Sequence, residues 1–153
     1  HKQPHTVYYT GEWLHNLPHG KGKLLWADSS KMFEGTFDNG VRTGYGVKIH
    51  SDGFYYKGMY EHNQPHGCGT LNRRNAAHYT GDLIAGKRQG RGKLVYCNGS
   101  VYEGEFRQNQ CHGVGRLTAA DGTVYDGLWW YGQMFGEGKI TFPDQRIFRG
   151  KFI

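Results

Sequence analysis

His62, His66 and Cys68 fall within seven consecutive positions, and Cys111 is followed at once by His112. Imidazole and thiolate are donors that zinc prefers, four to a tetrahedral site. Nineteen Lys and Arg against thirteen Asp and Glu leave a formal charge of +6. That excess is densest at Arg73, Arg74, Lys87, Arg88, Arg91 and Lys93. Such a patch suits anionic phospholipid, where each basic residue near the surface adds about 1 kcal/mol. Aromatic residues make up 15% of the chain, and Tyr and Trp are the side chains that anchor a bound peptide. Catalytic chemistry has no foothold: there is no nucleophile elbow, no phosphate loop, and no Cys–His or acid pair standing apart from a repeat. No enzyme activity and no cofactor is expected, and no nucleic-acid partner either, since that would need a comparable basic track with exposed rings.

These residues are positioned by a repeat. Aromatic residues recur at Tyr9, Phe33, Tyr56, Tyr79, Tyr102, Tyr125 and Phe148, with spacings of 24, 23, 23, 23, 23 and 23. A fixed period of this size marks a repeat array. The 25 glycines keep the same register. One set lies two residues after each opener, as Gly11, Gly35 and Gly58 do, and two further sets form the Gly-x-Gly pairs, as in Gly113-Val114-Gly115. Six units are expected over residues 9–147, starting at 9, 33, 56, 79, 102 and 125. Residues 1–8 read as a lead-in or the remnant of a preceding unit, and 148–153 as a partial seventh unit or terminal edge strand. The chain opens on His1 and ends inside that unit, so it reads as a segment of a longer array. Cys68, Cys97 and Cys111 are odd in number with no paired spacing, which favours reduced thiols and a cytoplasmic setting.

Within a unit, Tyr102-Glu103-Gly104-Glu105-Phe106 and Gly113-Val114-Gly115-Arg116-Leu117 alternate with period two, the pattern of paired strands. Each unit is therefore a β-hairpin. Asp52-Gly53, Asn98-Gly99 and Asp121-Gly122 predict tight turns with both central residues at positive φ. Asn16, Gly40, Asn63, Gly86, Asn109 and Gly132 share one phase, which predicts a left-handed residue there in every unit. Lys48 stands where other units carry Leu or Ile, between Val47 and Ile49, so its strand is expected to shift locally. The connection Ala27–Lys31, one residue longer, and the turn Asn72–Ala77 are the other irregular stretches.

The fold class is all-β: one elongated single-layer antiparallel sheet of tandem hairpins, a curled or twisted rod. Side chains two apart share a face. One face collects the openers, the glycines and a second large residue, and the glycines leave room for rings to lie on the backbone. That face is the thin core and, where incompletely covered, a partner groove lined by Tyr9, Trp13, Phe33, Phe37, Tyr56, Tyr60, Tyr79, Tyr102, Phe106, Tyr125 and Trp129. The opposite face carries alternating acids and bases, which neutralise one another as cross-strand pairs. His19, His66 and His112 share a phase in alternate units. They are four strands apart, roughly 19 Å at the usual strand spacing, so one zinc ion cannot bridge them. No metal site is assigned, and His62, His66, Cys68, Cys111 and His112 read as exposed loop residues unless a dimer brings two sets together.

The combination Tyr-x-Gly-x-Phe/Trp, an Asn/Gly turn and Gly-x-Gly-x-Leu at period 23 resembles the MORN repeat (membrane occupation and recognition nexus) over residues 9–152. The resemblance implies a non-catalytic scaffold, association with cytoskeletal or membrane-associated proteins at the cytoplasmic face of a membrane, and homodimers through terminal repeats. It also implies, for some members, phosphoinositide binding and, for others, a helical peptide held in the aromatic groove. An open sheet leaves unpaired edge groups that invite another chain. A self-complementary homodimer is therefore expected through the last strand, with Trp129, Trp130, Phe148, Arg149, Lys151, Phe152 and Ile153 at the contact. The alternative reading is a membrane adaptor that binds anionic phospholipid through Arg73, Arg74, Lys87, Arg88, Arg91 and Lys93.

Overall fold

The computed structural model describes residues 6–74 and 76–153. The first five residues of the lead-in, and Asn75 of the irregular Asn72–Ala77 turn, lie outside the described residues. Six hairpins follow in order: β1 (Val7–Leu14) with β2 (Leu17–Trp26), β3 (Lys31–Asp38) with β4 (Val41–His50), and β5 (Tyr55–Glu61) with β6 (Gln64–Asn72). Then come β7 (His78–Ile84) with β8 (Lys87–Val95), β9 (Val101–Arg107) with β10 (Gln110–Thr118), β11 (Val124–Trp130) with β12 (Gln133–Thr141), and finally β13 (Ile147–Phe152). Each strand pairs with its neighbours in sequence, giving a 13-stranded antiparallel sheet, β1 to β13, that is open at both ends. Val7 and Tyr8 of the lead-in already belong to β1, with Val7 opposite Trp26.

A row of glycines crosses this sheet. Gly11 faces Gly22, Gly22 faces Gly35, Gly35 faces Gly46, and the row runs on to Gly138 and Gly150. The opener ring of each unit lies flat on its glycine pair: a Cβ on Gly22 would fall inside the Tyr9 ring, and one on Gly92 inside the Tyr79 ring. The opener hydroxyl then donates to the carbonyl three residues on, Tyr79 to Asp82 at 2.6 Å and Tyr102 to Glu105 at 2.7 Å. Openers and second rings alternate edge to face: Phe33–Tyr60 at 5.0 Å, Tyr79–Phe106 at 5.2 Å and Tyr102–Trp129 at 5.2 Å between centroids. Such pairs add about 0.5–1.5 kcal/mol beyond the area they bury. The core is this single layer of rings plus Leu83, Leu94 and Cys111.

The glycine that opens each Gly-x-Gly does a different job from the one expected of it. Gly20, Gly44, Gly67, Gly90, Gly113 and Gly136 all have φ between +63° and +86°. They sit in bulges, where the register jumps, for example from Gly104↔Gly115 to Phe106↔Cys111. In three units a carboxylate opposite accepts from the bulge backbone: Glu12 from Lys21 at 2.6 Å, Asp82 from Arg91 at 3.2 Å and Glu105 from Val114 at 2.5 Å.

The two turn types are also exchanged relative to the sequence reading. The two-residue loop inside each hairpin is the one with both residues left-handed, as in His62-Asn63 (49° and 66°) and Tyr131-Gly132 (42° and 85°). The mirror turn matches the strand twist there. At Asp52-Gly53, Asn98-Gly99 and Asp121-Gly122 only the glycine has positive φ. These are three-residue loops closed by a Gly53 N–H to His50 carbonyl bond at 3.0 Å and its equivalents. The acidic or amide oxygen accepts from the N–H two residues on, as Asp52 does from Phe54 at 2.9 Å. Lys48 causes no shift: Val47↔Lys57, Lys48↔Tyr56 and Ile49↔Tyr55 stay in register.

Candidate interaction groove

The aromatic face is hollowed from Arg42 to Met134, and three positions per unit share the phases that wall it. The first follows the hairpin turn: Pro18, Arg42, Pro65, Arg88, Cys111 and Met134. The second is the Leu position, where Lys48 takes the place of Leu. The third is Trp26, His50, Arg73, Tyr96, Ala119 and Phe142. In the first four units the first position alternates between Pro and Arg for a reason of hydrogen bonding. Its carbonyl accepts from the left-handed residue of the next turn, as Pro65 does from Gly86 at 2.8 Å and Arg88 from Asn109 at 3.0 Å. Proline offers no N–H in return, and glycine suffices opposite it. Arg42 and Arg88 do offer one, and the Asn63 and Asn109 side chains accept it at 2.8 and 2.9 Å. The arginine side chains are held as well: Arg88 donates to the Asn109 carbonyl at 2.7 Å and lies 5.5 Å from the Phe106 centroid.

Two hollows share this face. One of about 800 Å³ runs from Arg88 past Leu94, Tyr96, Cys111 and Trp129 to Met134. The other, about 460 Å³, lies over Tyr56, Tyr60 and Leu71 and is walled by Arg42, Lys48, Arg73 and Arg88. They meet at Ala77, Arg88, Leu94 and Asn109. Neither is lined by an acid among the described residues. Burial, then the charges of Arg42 and Lys31, push the Lys48 ammonium below its ordinary value. Burial pushes Tyr60 and Tyr96 up to about 12.

The family model for the MORN repeat matches residues 9–31, 33–54, 56–75, 79–101, 102–124 and 125–145. This chain belongs to the MORN-repeat family. Among curated relatives, MORN repeat-containing protein 3 of Xenopus laevis is 45% identical over 49 residues, 28% of this chain and 21% of that protein. Alsin of Homo sapiens and of Rattus norvegicus is 53% identical over 38 residues, 25% of this chain and 2% of alsin. The chain thus spans well under two thirds of these relatives. MORN repeats are protein- and membrane-interaction modules, and no helix among the described residues is long and apolar enough to cross a membrane.

In this MORN array the groove candidates are not equally covered. Phe33, Phe37, Tyr56, Tyr60, Tyr79, Tyr102, Phe106, Tyr125 and Trp129 are buried floor, whereas Tyr9 is half-buried and Trp13 exposed at the first hairpin. The six lipid candidates part company. Arg73 and Arg88 face the groove, and Arg74 lines a neighbouring hollow beside His50 and Asp52. Arg91 and Lys93 pair in register with Glu105 and Glu103 on the other face, and Lys87 is exposed at the start of β8. Arg42 and Lys48, which complete the groove's basic wall, were missed. The signal was present in the sequence as Arg42 repeating Arg88 at a phase shared with Pro18 and Pro65, and as Lys48 at a phase otherwise held by Leu or Ile.

The metal candidates are dispersed, and no group of three donors forms among the described residues. His66 accepts from the Ala85 N–H at 3.4 Å and lies 3.4 Å from Glu61. His112 accepts from Tyr131 at 3.3 Å. Both braces tie one hairpin to the next turn. Cys68 reaches Asp82 at 3.7 Å, Cys111 is buried in the groove, and His62 occupies a left-handed turn position. At the C-terminal end, Phe152 rests on Tyr125 at 5.1 Å, while Phe148 and Ile153 are exposed. Arg149 and Lys151 of β13 are exposed, opposite Lys139 and Glu137. Trp129 is a floor residue of β11. Trp130 points to the other face with His112, Tyr131 and Phe135, within 4.7, 5.2 and 6.2 Å between centroids.

Proposed function

We propose that this MORN array is a non-catalytic scaffold segment that holds a partner polypeptide along its aromatic groove and joins a second copy of itself through β13. The observation that carries the groove reading is the recessed trough from Arg42 to Met134, with a rigid floor of buried rings and both hollows open to a ligand. Rigid aromatic floors give binding energy without ordering entropy, which is what a docking site needs. The edge strand supports the second half of the reading: among the described residues β13 pairs only with β12, and Ile147 and Phe148 are exposed on it. The setting proposed is the cytoplasm, on cytoskeletal or membrane-associated assemblies.

Two measurements test the two halves. A random-peptide phage library panned on the protein should yield peptides that bind the wild type and not Met134→Asp. No enrichment would count against the groove. Light scattering should give twice the chain mass for the wild type and the single mass for Phe148→Asp. A monomer at all concentrations would remove the dimer.

A further inference from the structure

We propose that the groove selects an acidic partner segment, whose carboxylates sit against Arg42, Lys48, Arg73 and Arg88 and whose adjoining apolar residues fill the hollow from Tyr96 to Met134. This rests on the groove being a polypeptide site, as proposed above.

Charge complementarity carries it. Four cations wall the 460 Å³ hollow, and none of them forms an ion pair among the described residues. The acids are kept out of this hollow: Glu34, Glu103, Glu105 and Asp126 lie at the phases that face away from the groove, Asp121 and Asp144 sit in turns, and Asp52, also in a turn, lines the adjoining hollow with His50, Arg73 and Arg74. No wall position in any unit is Asp or Glu. Arg42, Lys48 and Arg88 are half-buried and Arg73 is exposed at the rim. Like charges gathered at partial burial without a counter-charge are unfavourable, and a carboxylate ligand removes that penalty. The cations are also prearranged. Arg42 sits 5.3 Å from the Phe33 centroid, Lys48 5.9 Å from Trp26, Arg73 5.5 Å from Phe54 and Arg88 5.8 Å from Tyr79. Fixed guanidinium groups suit carboxylates.

A second observation points to a polar ligand. The Tyr60 hydroxyl, at the floor of this hollow, and His50 Nε2, in the adjoining one, are buried without a hydrogen-bond partner. Buried polar atoms normally have one. The four other tyrosines of the third to fifth units that have the opener phase or lie beside Cys111 are satisfied: Tyr56, Tyr79 and Tyr102 donate to Met59, Asp82 and Glu105 carbonyls, and Tyr96 meets the Cys111 thiol. Beyond Arg88 the trough carries no further cation and is lined by Leu94, Cys111, Leu117, Trp129 and Met134. The occupant is therefore acidic toward β4 and apolar toward β12. A recessed, continuous trough fits one chain along its length; a flat bilayer meets only its rim.

Peptides selected from the phage library decide the matter. They should carry clustered Asp or Glu beside apolar residues, and their binding should weaken with salt. The variant Lys48→Leu/Arg73→Tyr carries residues that other units hold at the same phases, Leu24 and Leu71 for the first and Tyr96 for the second. It should melt as the wild type does and bind these peptides at least about tenfold more weakly, since a hydrogen bond to a charged group is worth about 1.5–3 kcal/mol. Selection of neutral peptides, or acidic ones that bind the variant equally well, would overturn the acidic preference and leave the groove reading standing. No peptide selected, with phosphatidylcholine vesicles containing phosphatidylinositol bisphosphate sedimenting the wild type and not the variant, would replace the peptide by a membrane. No selection and no sedimentation would overturn both readings.

Discussion

Gly92 and Gly132 are both glycine for physical reasons that share nothing. Gly92 has an ordinary φ, and its missing Cβ is the space filled by the Tyr79 ring. A Cβ added to Gly132 would meet nothing within 4 Å, but the backbone there has a φ of +85°. Gly92→Ala should therefore cost about 1–3 kcal/mol through overpacking. Gly132→Asn should be nearly neutral, because Asn16, Asn63 and Asn109 hold that phase at φ of 62°, 66° and 70°. Thermal unfolding of the two variants checks this, and equal losses would sink the distinction. His50 supplies a pH-dependent counterpart. Burial first, then Lys48 and Lys31, and also Arg73, hold its imidazole below the usual value, with Asp52 alone opposing. A depressed folded pKa means stability that is present above the unfolded value near 6.5 and is lost as pH falls through the folded one. The melting temperature should thus drop on acidification by more in the wild type than in His50→Tyr, the residue Tyr96 carries at that phase. Equal drops would exonerate His50.

At the level of the hairpin, the strands were legible and the turns only partly so. Period-two alternation set every strand on the correct face, and the Asn/Gly phase correctly marked one left-handed residue per unit. The residue before it, His15, Asn39, His62, Ala85, Gln108 or Tyr131, is left-handed too, yet these six residues, of five types, share no composition signal. Asp-Gly misled because the dipeptide suits both a mirror turn and a three-residue loop with a left-handed end, and the choice depends on strand ends that sequence leaves uncertain by a residue or two. The groove's basic wall was only half legible for another reason: Arg73 and Arg88 stood out in a basic run, but Lys48 looked like an irregular strand residue until its register placed it beside Tyr56. Ala85-Gly86 offers a direct check on turn chemistry. Ala85 has φ of 49°, a conformation that costs an L-residue about 1–2 kcal/mol. Ala85→Asn creates Asn-Gly, the dipeptide most suited to that turn, and leaves the bond from its N–H to His66 in place. A rise in melting temperature is expected, and a fall would mean the turn is not set by this backbone preference.

Across the whole array, the same tyrosines that floor the groove also set its limits of stability. Burial raises Tyr56, Tyr79 and Tyr102 well above the ordinary phenol value, and Tyr60 and Tyr96 to about 12. A raised folded pKa means that stability is complete below the unfolded value near 10 and is lost as pH climbs through the folded values. These residues lie in three consecutive units, third to fifth, and each unit is held only by its neighbours. Ionising them should therefore open the middle of the sheet and deprive both flanks of support. Phenolate absorbance and far-ultraviolet circular dichroism, followed together through alkaline pH, should show a late group of tyrosines ionising in the same step that removes the sheet signal. Ionisation of all eleven tyrosines in one early step with the sheet intact would show that the rings are not the layer that holds the array together, and would remove the rigid floor on which the groove depends.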